Sequence, residues 1–324
     1  MIESMVDASN LAESIPELGH AAPRRYKGRH VDDLALLQGG EGAFVWARRR
    51  DTGDLWYLDE DTGKANRPFV REHLVCPVPG CAERLTSAHR STKRDGLQHF
   101  SGGGGHSLES IFHSQGCALI ESWLKKAYPD YRVRREEYTN EAGERRADVL
   151  ITNRDGLKVA FEVQYSSITP DDWRARHESY RAQEILDVWL FGHTKNHLDL
   201  DTHTGRLKPN PTHQAVVATK SPLFFLNPEY EIVGFAVSED YEYDAFTDRL
   251  TRDPVHVLDR PRDAALQVRP LGSFHVSRLE GFSSDLLRIL HNSTTELRRF
   301  NWNQHFRAAE LRSHWQILAE QKRL

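Results

Sequence analysis

The sequence has no long apolar run, and this absence limits where the protein can act. The chain has 324 residues, and none of its segments approaches the roughly 20 consecutive apolar residues that a membrane-spanning helix needs. Its N-terminal segment is polar and acidic and lacks the apolar stretch of a secretory signal. We therefore expect a cytoplasmic protein.

Basic charge and cysteine are also scarce. The 43 basic residues are outnumbered by 47 acidic ones, which gives a net charge of −4. A protein that coats nucleic acid without regard to sequence is usually basic, so this balance argues against such a role. It does not exclude an enzyme that contacts DNA through a few arginines. Three cysteines are too few for a disulfide framework.

What the chain does contain is enough material for two or three compact units, with 39% apolar and 28% charged residues. The glycine run Gly102–Gly105 suggests a boundary between them. We expect four parts: a flexible arm at 1–28, a small β-rich module at 29–106 that includes strands near 42–49 and 54–58, an α/β core at 107–192, and a linker (193–221) followed by strands and a helical region, together 193–324.

The last segment, 284–324, combines apolar residues at helical spacing with several arginines and aromatic side chains. Such a helical extension could pack on the core, or it could stack on nucleic acid bases and contact phosphates. Packing is the simpler interpretation, because aromatic residues at helical spacing usually belong to a core.

The core has the most regular pattern. Ser107 can cap a first helix, and Pro170 can open a second one. Alternating or continuous apolar stretches between and after these helices predict strands. The predicted elements are a helix at 107–127, strands at 131–138, 147–152 and 157–165, a helix at 169–183, and a strand at 185–191. The sequence therefore predicts an α/β fold with a mixed sheet in the order helix, strand, strand, strand, helix, strand.

Two acidic residues stand out on neighbouring strands of this core. Asp148 begins one apolar strand, and Glu162 and Gln164 share one face of the next. A three-residue turn at 154–156 with glycine last would place Asp148 opposite Glu162, with Cβ atoms ~5 Å apart. A divalent cation such as Mg²⁺ would remove the resulting repulsion.

Gln164, on the same face as Glu162, could orient a metal-bound water or donate a hydrogen bond to a phosphate oxygen. The alternative is an ordinary acidic strand end at the surface. The apolar context of Glu162 favours the metal site, because a charge inside a buried strand is rarely unpaired.

A cysteine–histidine segment precedes the core. Cys76 and Cys81 are separated by four residues, a spacing that zinc sites tolerate. His99 and His106 are candidates for the remaining two ligands, and His89 is a further one. A site with two sulfur and two nitrogen ligands would anchor the small module with a structural Zn²⁺. The alternative is a pair of buried thiols with unrelated surface histidines.

Both core helices carry further candidates. Glu109 and His113 lie four residues apart and share a helix face, where they could add a carboxylate ligand and a base or phosphate contact. Glu121 lies at a different angle of the same helix, and we expect its side chain to be solvated. Arg174, Arg176 and Tyr180 on the second helix could bind the phosphate backbone of a nucleic acid. The alternatives are a surface pair for the first two residues, and packing against the sheet edge for the others.

Taken together, these segments resemble the competence protein CoiA-like nucleases of the PD-(D/E)XK nuclease superfamily. The resemblance covers roughly residues 40–192, and the segments that carry it are Cys76-Pro77…Cys81, His99-Phe100, Glu109-Ser110-x-x-His113, Ala147-Asp148-Val149-Leu150, Phe161-Glu162-Val163-Gln164-Tyr165-Ser166-Ser167-Ile168 and Arg176…Tyr180. It implies an αβββαβ nuclease core that cleaves DNA with Mg²⁺ or Mn²⁺, in DNA processing linked to uptake or recombination, with possible competence or recombination partners.

The resemblance also assigns roles and marks departures. Asp148 and Glu162 fall on the metal-binding acids of the family. Gln164 falls where many such nucleases have lysine, and glutamine cannot carry a proton in the same way. Cys117 falls where relatives often have lysine after the Glu-Ser-x-x-His segment. These departures keep a second hypothesis open, a non-catalytic DNA-binding adaptor with a degenerate nuclease fold.

Overall fold

The computed structural model describes residues 25–26, 29–30, 33–39, 43–91, 94–102, 106–139, 145–201, 205–238, 243–244, 249–250, 264–277, 281–285 and 287. Its α-helices are α1 (Asp33–Gln38), α2 (Gly63–His73), α3 (Leu108–Ala127), α4 (Pro170–Ala182) and α5 (Pro211–Ala218), and a 3₁₀ turn covers Leu271–Ser273. Its strands are β1 (Arg25–Tyr26), β2 (Arg29–His30), β3 (Trp46–Arg49), β4 (Leu55–Tyr57), β5 (Leu74–Val75), β6 (Leu85–Ala88), β7 (Gly96–His99), β8 (Arg132–Tyr138), β9 (Arg146–Thr152), β10 (Lys158–Gln164), β11 (Leu186–Gly192), β12 (Phe224–Asn227), β13 (Ile232–Ser238), β14 (Tyr243–Asp244), β15 (Arg249–Leu250), β16 (Ala264–Pro270), β17 (Phe274–Ser277) and β18 (Gly281–Ser284).

A mixed sheet of seven strands forms the centre, in the order β16-β13-β12-β11-β10-β9-β8. Strands β10, β11 and β12 run parallel to one another, and the other neighbours are antiparallel. The predicted mixed α/β class and the predicted order α3-β8-β9-β10-α4-β11 are confirmed. The sequence did not predict that β12, β13 and β16 would extend the same sheet.

Caps at their N-termini fix where the two core helices begin. The Ser107 hydroxyl accepts a hydrogen bond from the Ser110 amide at 3.1 Å, and Thr169 does the same for the Asp172 amide at 3.1 Å. Each cap satisfies an amide that the helix itself leaves without a partner. The predicted starts of both helices follow from this local chemistry.

The two helices cover opposite faces of the sheet. Phe161 and Val163 of β10 point to α3, where the Phe161 ring lies 6.2 Å from the Trp123 ring. A Cβ added at Gly116 would stand 2.7 Å from a Val163 methyl, so glycine allows α3 to lie close to the strand. Glu162, between these two residues, points to α4 and accepts a hydrogen bond from Tyr180.

The N-terminal segment shares the core of the sheet. Leu36, Leu37 and Val45 belong to the same apolar cluster as the central strands. The Gln115 side chain on α3 accepts hydrogen bonds from the Val45 amide at 2.7 Å and the Trp46 amide at 3.2 Å. A second, smaller core lies under β3–β7 and α2, and its members include Phe44, Leu58, Val70, Leu74 and Leu85.

Two regions differ from the prediction. The segment 193–221 is not a linker: it contains α5, and Leu198, Leu200 and Leu207 are buried. Asn210 caps that helix in a reciprocal pair with His213, which the polar composition of the segment concealed. Helix α2, which contains Pro68, lies in a stretch for which no element was predicted.

Some predictions fall on residues that the structure does not describe. They are nearly all of the arm 1–28, Gly103–Gly105 of the glycine run, and the helical segment 284–324 beyond residue 287. Among the described residues, every helix is too short or too polar to cross a membrane.

Candidate functional site

The hairpin of β9 and β10 has the predicted register. Its pairs run from Lys158 with Thr152 to Phe161 with Val149. The Asn153 amide donates to the Leu157 carbonyl at 3.0 Å, and the turn of three residues ends in Gly156 with φ of 83°. This positive φ favours glycine, as the prediction required.

The two strands separate where the acidic pair begins. Backbone pairing ends at Phe161 and Val149, one step before Glu162 and Asp148. At this point the Asp148 carboxylate accepts a hydrogen bond from the Val163 amide at 2.8 Å. A side chain therefore replaces a backbone partner, and the Asp148 carboxylate lies at the opening between the strands.

Glu162 is a buried acid with two protein partners. It is 1% exposed, accepts a hydrogen bond from the Tyr180 hydroxyl, and pairs with the Arg176 guanidinium at 3.1 Å. Burial, followed by the charge of Asp148, raises the pKa of Glu162 to about 8, and Arg176 opposes this rise. A bound cation would instead favour the ionised form.

The Asp148 carboxylate also contacts α3. Its Oδ2 lies 3.2 Å from His113 Nε2, and the Cys117 Sγ lies 3.7 Å from the same nitrogen. Ligand atoms of these three residues all lie within 4.8 Å of one another. The negative charge of a Cys117 thiolate, and then the hydrogen bond to Asp148, raise the pKa of His113, whereas burial lowers it. Burial also raises the pKa of the Cys117 thiol.

Cys117 was missed as a member of this group. The sequence marked it only as a departure from the family pattern. The available signal was its spacing of four residues from His113, which places both side chains on one face of α3.

Glu109 and Gln164 make other contacts. The Glu109 carboxylate accepts a hydrogen bond from the Asn196 side chain at 2.6 Å. The Gln164 amide donates to the Ser166 carbonyl at 2.6 Å and to the Ser166 hydroxyl at 3.0 Å. The amide nitrogen of Gln164 therefore fixes the end of β10, although the side chain lies on the predicted face.

The arginine–tyrosine group on α4 divides into two parts. Arg174 is exposed and pairs with Asp171 at 2.7 Å. Arg176 is 36% exposed and reaches Glu162. Tyr180 is fully buried and donates to Glu162, so its predicted contact with a phosphate backbone is wrong. Its position on an arginine-rich helix suggested exposure, but its ring faces the sheet.

The expectation for Glu121 is also corrected. Its position on α3 suggested a solvated side chain, yet it is 6% exposed. It accepts a hydrogen bond from Lys125 at 2.7 Å and lies 3.7 Å from the Arg48 guanidinium. The N-terminal segment covers this face of α3, which the sequence pattern of the helix alone could not indicate.

The four predicted zinc ligands converge in the small module. Cys76 Sγ lies 3.6 Å from His106 Nε2, and Cys81 Sγ lies 3.6 Å from His99 Nε2. Ligand atoms of all four residues lie within 4.8 Å of one another. His89 lies elsewhere, paired with Asp95 at 2.9 Å.

Local structure explains why this Cys–His cluster (Cys76, Cys81, His99 and His106) forms. Cys76 follows β5, a tight turn with Gly80 at φ of 79° leads to Cys81, His99 ends β7, and His106 precedes the cap of α3. Burial raises the pKa of Cys76 to about 12, and the neighbouring Cys81 adds to this rise. Two sulfur and two nitrogen donors at such distances fit a tetrahedral Zn²⁺ site.

Comparison with known families identifies the core. Residues 109–235 match the family model described as "Competence protein CoiA, nuclease-like domain". The core of this chain is therefore similar to a CoiA nuclease-like domain. The matched stretch runs from Glu109 on α3 into β13, so it includes the hairpin, α4 and the acidic pair. The Cys–His cluster lies before it. No curated protein and no solved structure matches the chain.

Proposed function

We propose that the chain is a divalent-metal-dependent nuclease that cleaves DNA phosphodiester bonds, with Asp148 and Glu162 as its metal-binding acids. The observation that carries the proposal is the buried Glu162 beside Asp148 at the point where two strands separate, inside a stretch that matches a CoiA nuclease-like domain. Without a bound cation, burying one acid next to another lowers the free energy of unfolding.

The donor set suits Mg²⁺ or Mn²⁺, which prefer oxygen ligands, and such an ion would polarise a phosphodiester and activate water. The chain's own residues prepare the position. Tyr180 and Arg176 hold the Glu162 carboxylate from α4, and Val163 and His113 hold Asp148. Held carboxylates need little reorganisation when an ion binds.

The neighbouring residues take supporting roles in this proposal. Glu109 could add a carboxylate from the first turn of α3, and His113, which lies beside Asp148, could contact a phosphate oxygen. Gln164 cannot take up a proton, so we assign it to hydrogen bonding of water or phosphate. Arg174 and Arg176 are the phosphate-contacting residues, because their guanidinium groups are at least partly exposed.

We further propose that the Cys–His cluster binds a structural Zn²⁺. The support is the convergence of two sulfur and two nitrogen donors from four separate points of the module. His106 stands one residue before Ser107, the cap of α3. A zinc ion here would therefore hold the start of the helix that carries His113.

The second candidate function is a DNA-binding adaptor without turnover. Gln164 at the usual lysine position favours it, and so does the use of its amide nitrogen to bind Ser166. Either function is consistent with a role in DNA uptake or recombination, and the family description names a competence protein.

The decisive experiment compares cleavage and binding of single- and double-stranded DNA in Mg²⁺ or Mn²⁺. We expect Asp148→Asn and Glu162→Gln to abolish cleavage while DNA binding persists. Asp155→Asn is the matched control, since it removes an exposed carboxylate from the turn of the same hairpin and should retain activity. If wild-type protein binds DNA but does not cleave it in the presence of any divalent cation, the nuclease proposal is refuted and the adaptor is supported.

A further inference from the structure

A second group of possible metal ligands adjoins the acidic pair. His113 and Cys117 extend from consecutive turns of α3 towards Asp148 on β9. Their donor atoms are one imidazole nitrogen, one sulfur and one carboxylate oxygen, all within 4.8 Å of one another. This His–Cys–Asp trio (His113, Cys117 and Asp148) contains a donor that the oxygen-rich pair lacks.

Two members of the trio are held in place by their surroundings. Cys117 is fully buried, and the Val163 amide fixes Asp148 at 2.8 Å. Gly116, next to Cys117, allows α3 to pack closely against β10. The packing of the helix on the sheet thus sets the positions of Cys117 and Asp148, and the partly exposed His113 side chain completes the group.

The imidazole nitrogen of His113 is shared between an oxygen neighbour and a sulfur neighbour. Nε2 of His113 faces both Asp148, at 3.2 Å, and Cys117, at 3.7 Å. That nitrogen carries at most one hydrogen, so it cannot donate to both neighbours at once. A metal ion among the three atoms would interact with all of them.

We propose that His113, Cys117 and Asp148 bind a thiophilic divalent ion of the Zn²⁺ class. Sulfur and imidazole ligands favour Zn²⁺ and Co²⁺, whereas Mg²⁺ requires oxygen ligands. Three protein ligands leave a coordination position for water or a phosphate oxygen, as in catalytic rather than structural zinc sites. The inference rests on the proposed function, because Asp148 belongs to both this trio and the acidic pair. With zinc bound, Nε2 of His113 would be a metal ligand in place of a hydrogen-bond donor to Asp148.

Zinc content of the full-length chain tests the proposal. We expect wild-type protein, equilibrated with Zn²⁺ and freed of excess, to hold about two zinc ions per chain, one in the Cys–His cluster and one in the trio. Cys117→Ser should hold about one, because a hydroxyl is a much poorer zinc ligand than a thiolate. The double variant Cys76→Ser/Cys81→Ser should lose the other ion and keep that of the trio.

Co²⁺ substitution provides a second measurement. Thiolate-to-cobalt charge transfer should give near-ultraviolet absorption from both sites, and the difference between wild type and Cys117→Ser isolates the contribution of the trio. His113→Asn should reduce the same contribution. This comparison does not require that the double cysteine variant folds.

Equal zinc content and an unchanged cobalt spectrum in Cys117→Ser would overturn the proposal. The readout is independent of cleavage. A wild-type chain without nuclease activity that still loses one zinc ion with Cys117→Ser would refute the proposed nuclease and support the trio as a metal site.

Discussion

The Cys–His cluster and the acidic pair bring together groups that can hold a metal by different means. The cluster draws four uncharged or weakly acidic donors from loops and strand ends of a small module. The pair places two carboxylates inside a sheet and keeps them there with α3 and α4. Four protein ligands complete a coordination shell, whereas two acids leave most positions to water and substrate. Position in the fold thus separates a site suited to stability from one suited to chemistry.

The largest effect is expected when the Cys–His cluster loses one of its ligands. Cys81→Ser should destabilise the module by several kcal/mol, because metal binding free energy is folding free energy in such sites. Thermal unfolding monitored by circular dichroism, with and without a chelator, measures it. His73→Gln is the control, a histidine of the same module outside the cluster. A chelator that leaves the wild-type melting temperature unchanged would contradict the assignment.

The second prediction concerns pH. Because the pKa of Glu162 is raised to about 8, the native state holds its proton more tightly than the unfolded chain. In the wild type, the contribution of Glu162 to the free energy of unfolding is complete below pH ~4.5 and is lost as the pH rises towards 8. Glu162→Gln should therefore gain stability relative to wild type over this range, on the order of a few kcal/mol.

Urea unfolding at a series of pH values in metal-free buffer checks this difference. Glu178→Gln, an exposed position on α4, should differ from wild type equally at each pH. Adding Mn²⁺ should reverse the advantage of Glu162→Gln, because only the ionised carboxylate binds the ion. A difference that is independent of both pH and Mn²⁺ would argue against the acidic pair as a metal site.

The smallest effect is expected from the hydrogen bond by which α4 holds Glu162. Tyr180→Phe removes the hydrogen bond to Glu162 and should cost about 1–2 kcal/mol of stability. Because that hydrogen bond lowers the pKa of Glu162, its loss should shift the pH midpoint of Mn²⁺ binding upwards. Titration of Mn²⁺ binding against pH measures the shift. Tyr138→Phe, an exposed tyrosine, should leave the midpoint in place.

The hairpin and the cluster were predictable because local rules fix them. A three-residue turn ending in glycine sets the register of β9 and β10 without knowledge of the rest of the fold. Cys76 and Cys81 are two of only three cysteines, so their pairing with nearby histidines left few alternatives. The geometry brings together the two cysteines and two of the three histidines that were named as candidates.

What the sequence did not reveal depends on contacts distant in the chain. Strands β12, β13 and β16 join the sheet although long connections separate β12 from β11 and β16 from β13. No local sequence pattern indicates which strands pair across such connections. Tyr180 is buried because α4 rests on the sheet, and Glu121 is buried because the N-terminal segment crosses α3. In each case the helix pattern alone was ambiguous, and the partner decided the outcome.

The hydrogen bond between Asp148 and the Val163 amide determines how an ion could bind. Both described contacts of this carboxylate, from Val163 and from His113, fall on Oδ2. Monodentate coordination through Oδ1 would therefore keep the hydrogen bond that ties β9 to β10. Bidentate coordination would draw Oδ2 away and loosen the sheet at the same place. Metal affinity and the local rigidity of the hairpin are thus coupled through a single carboxylate.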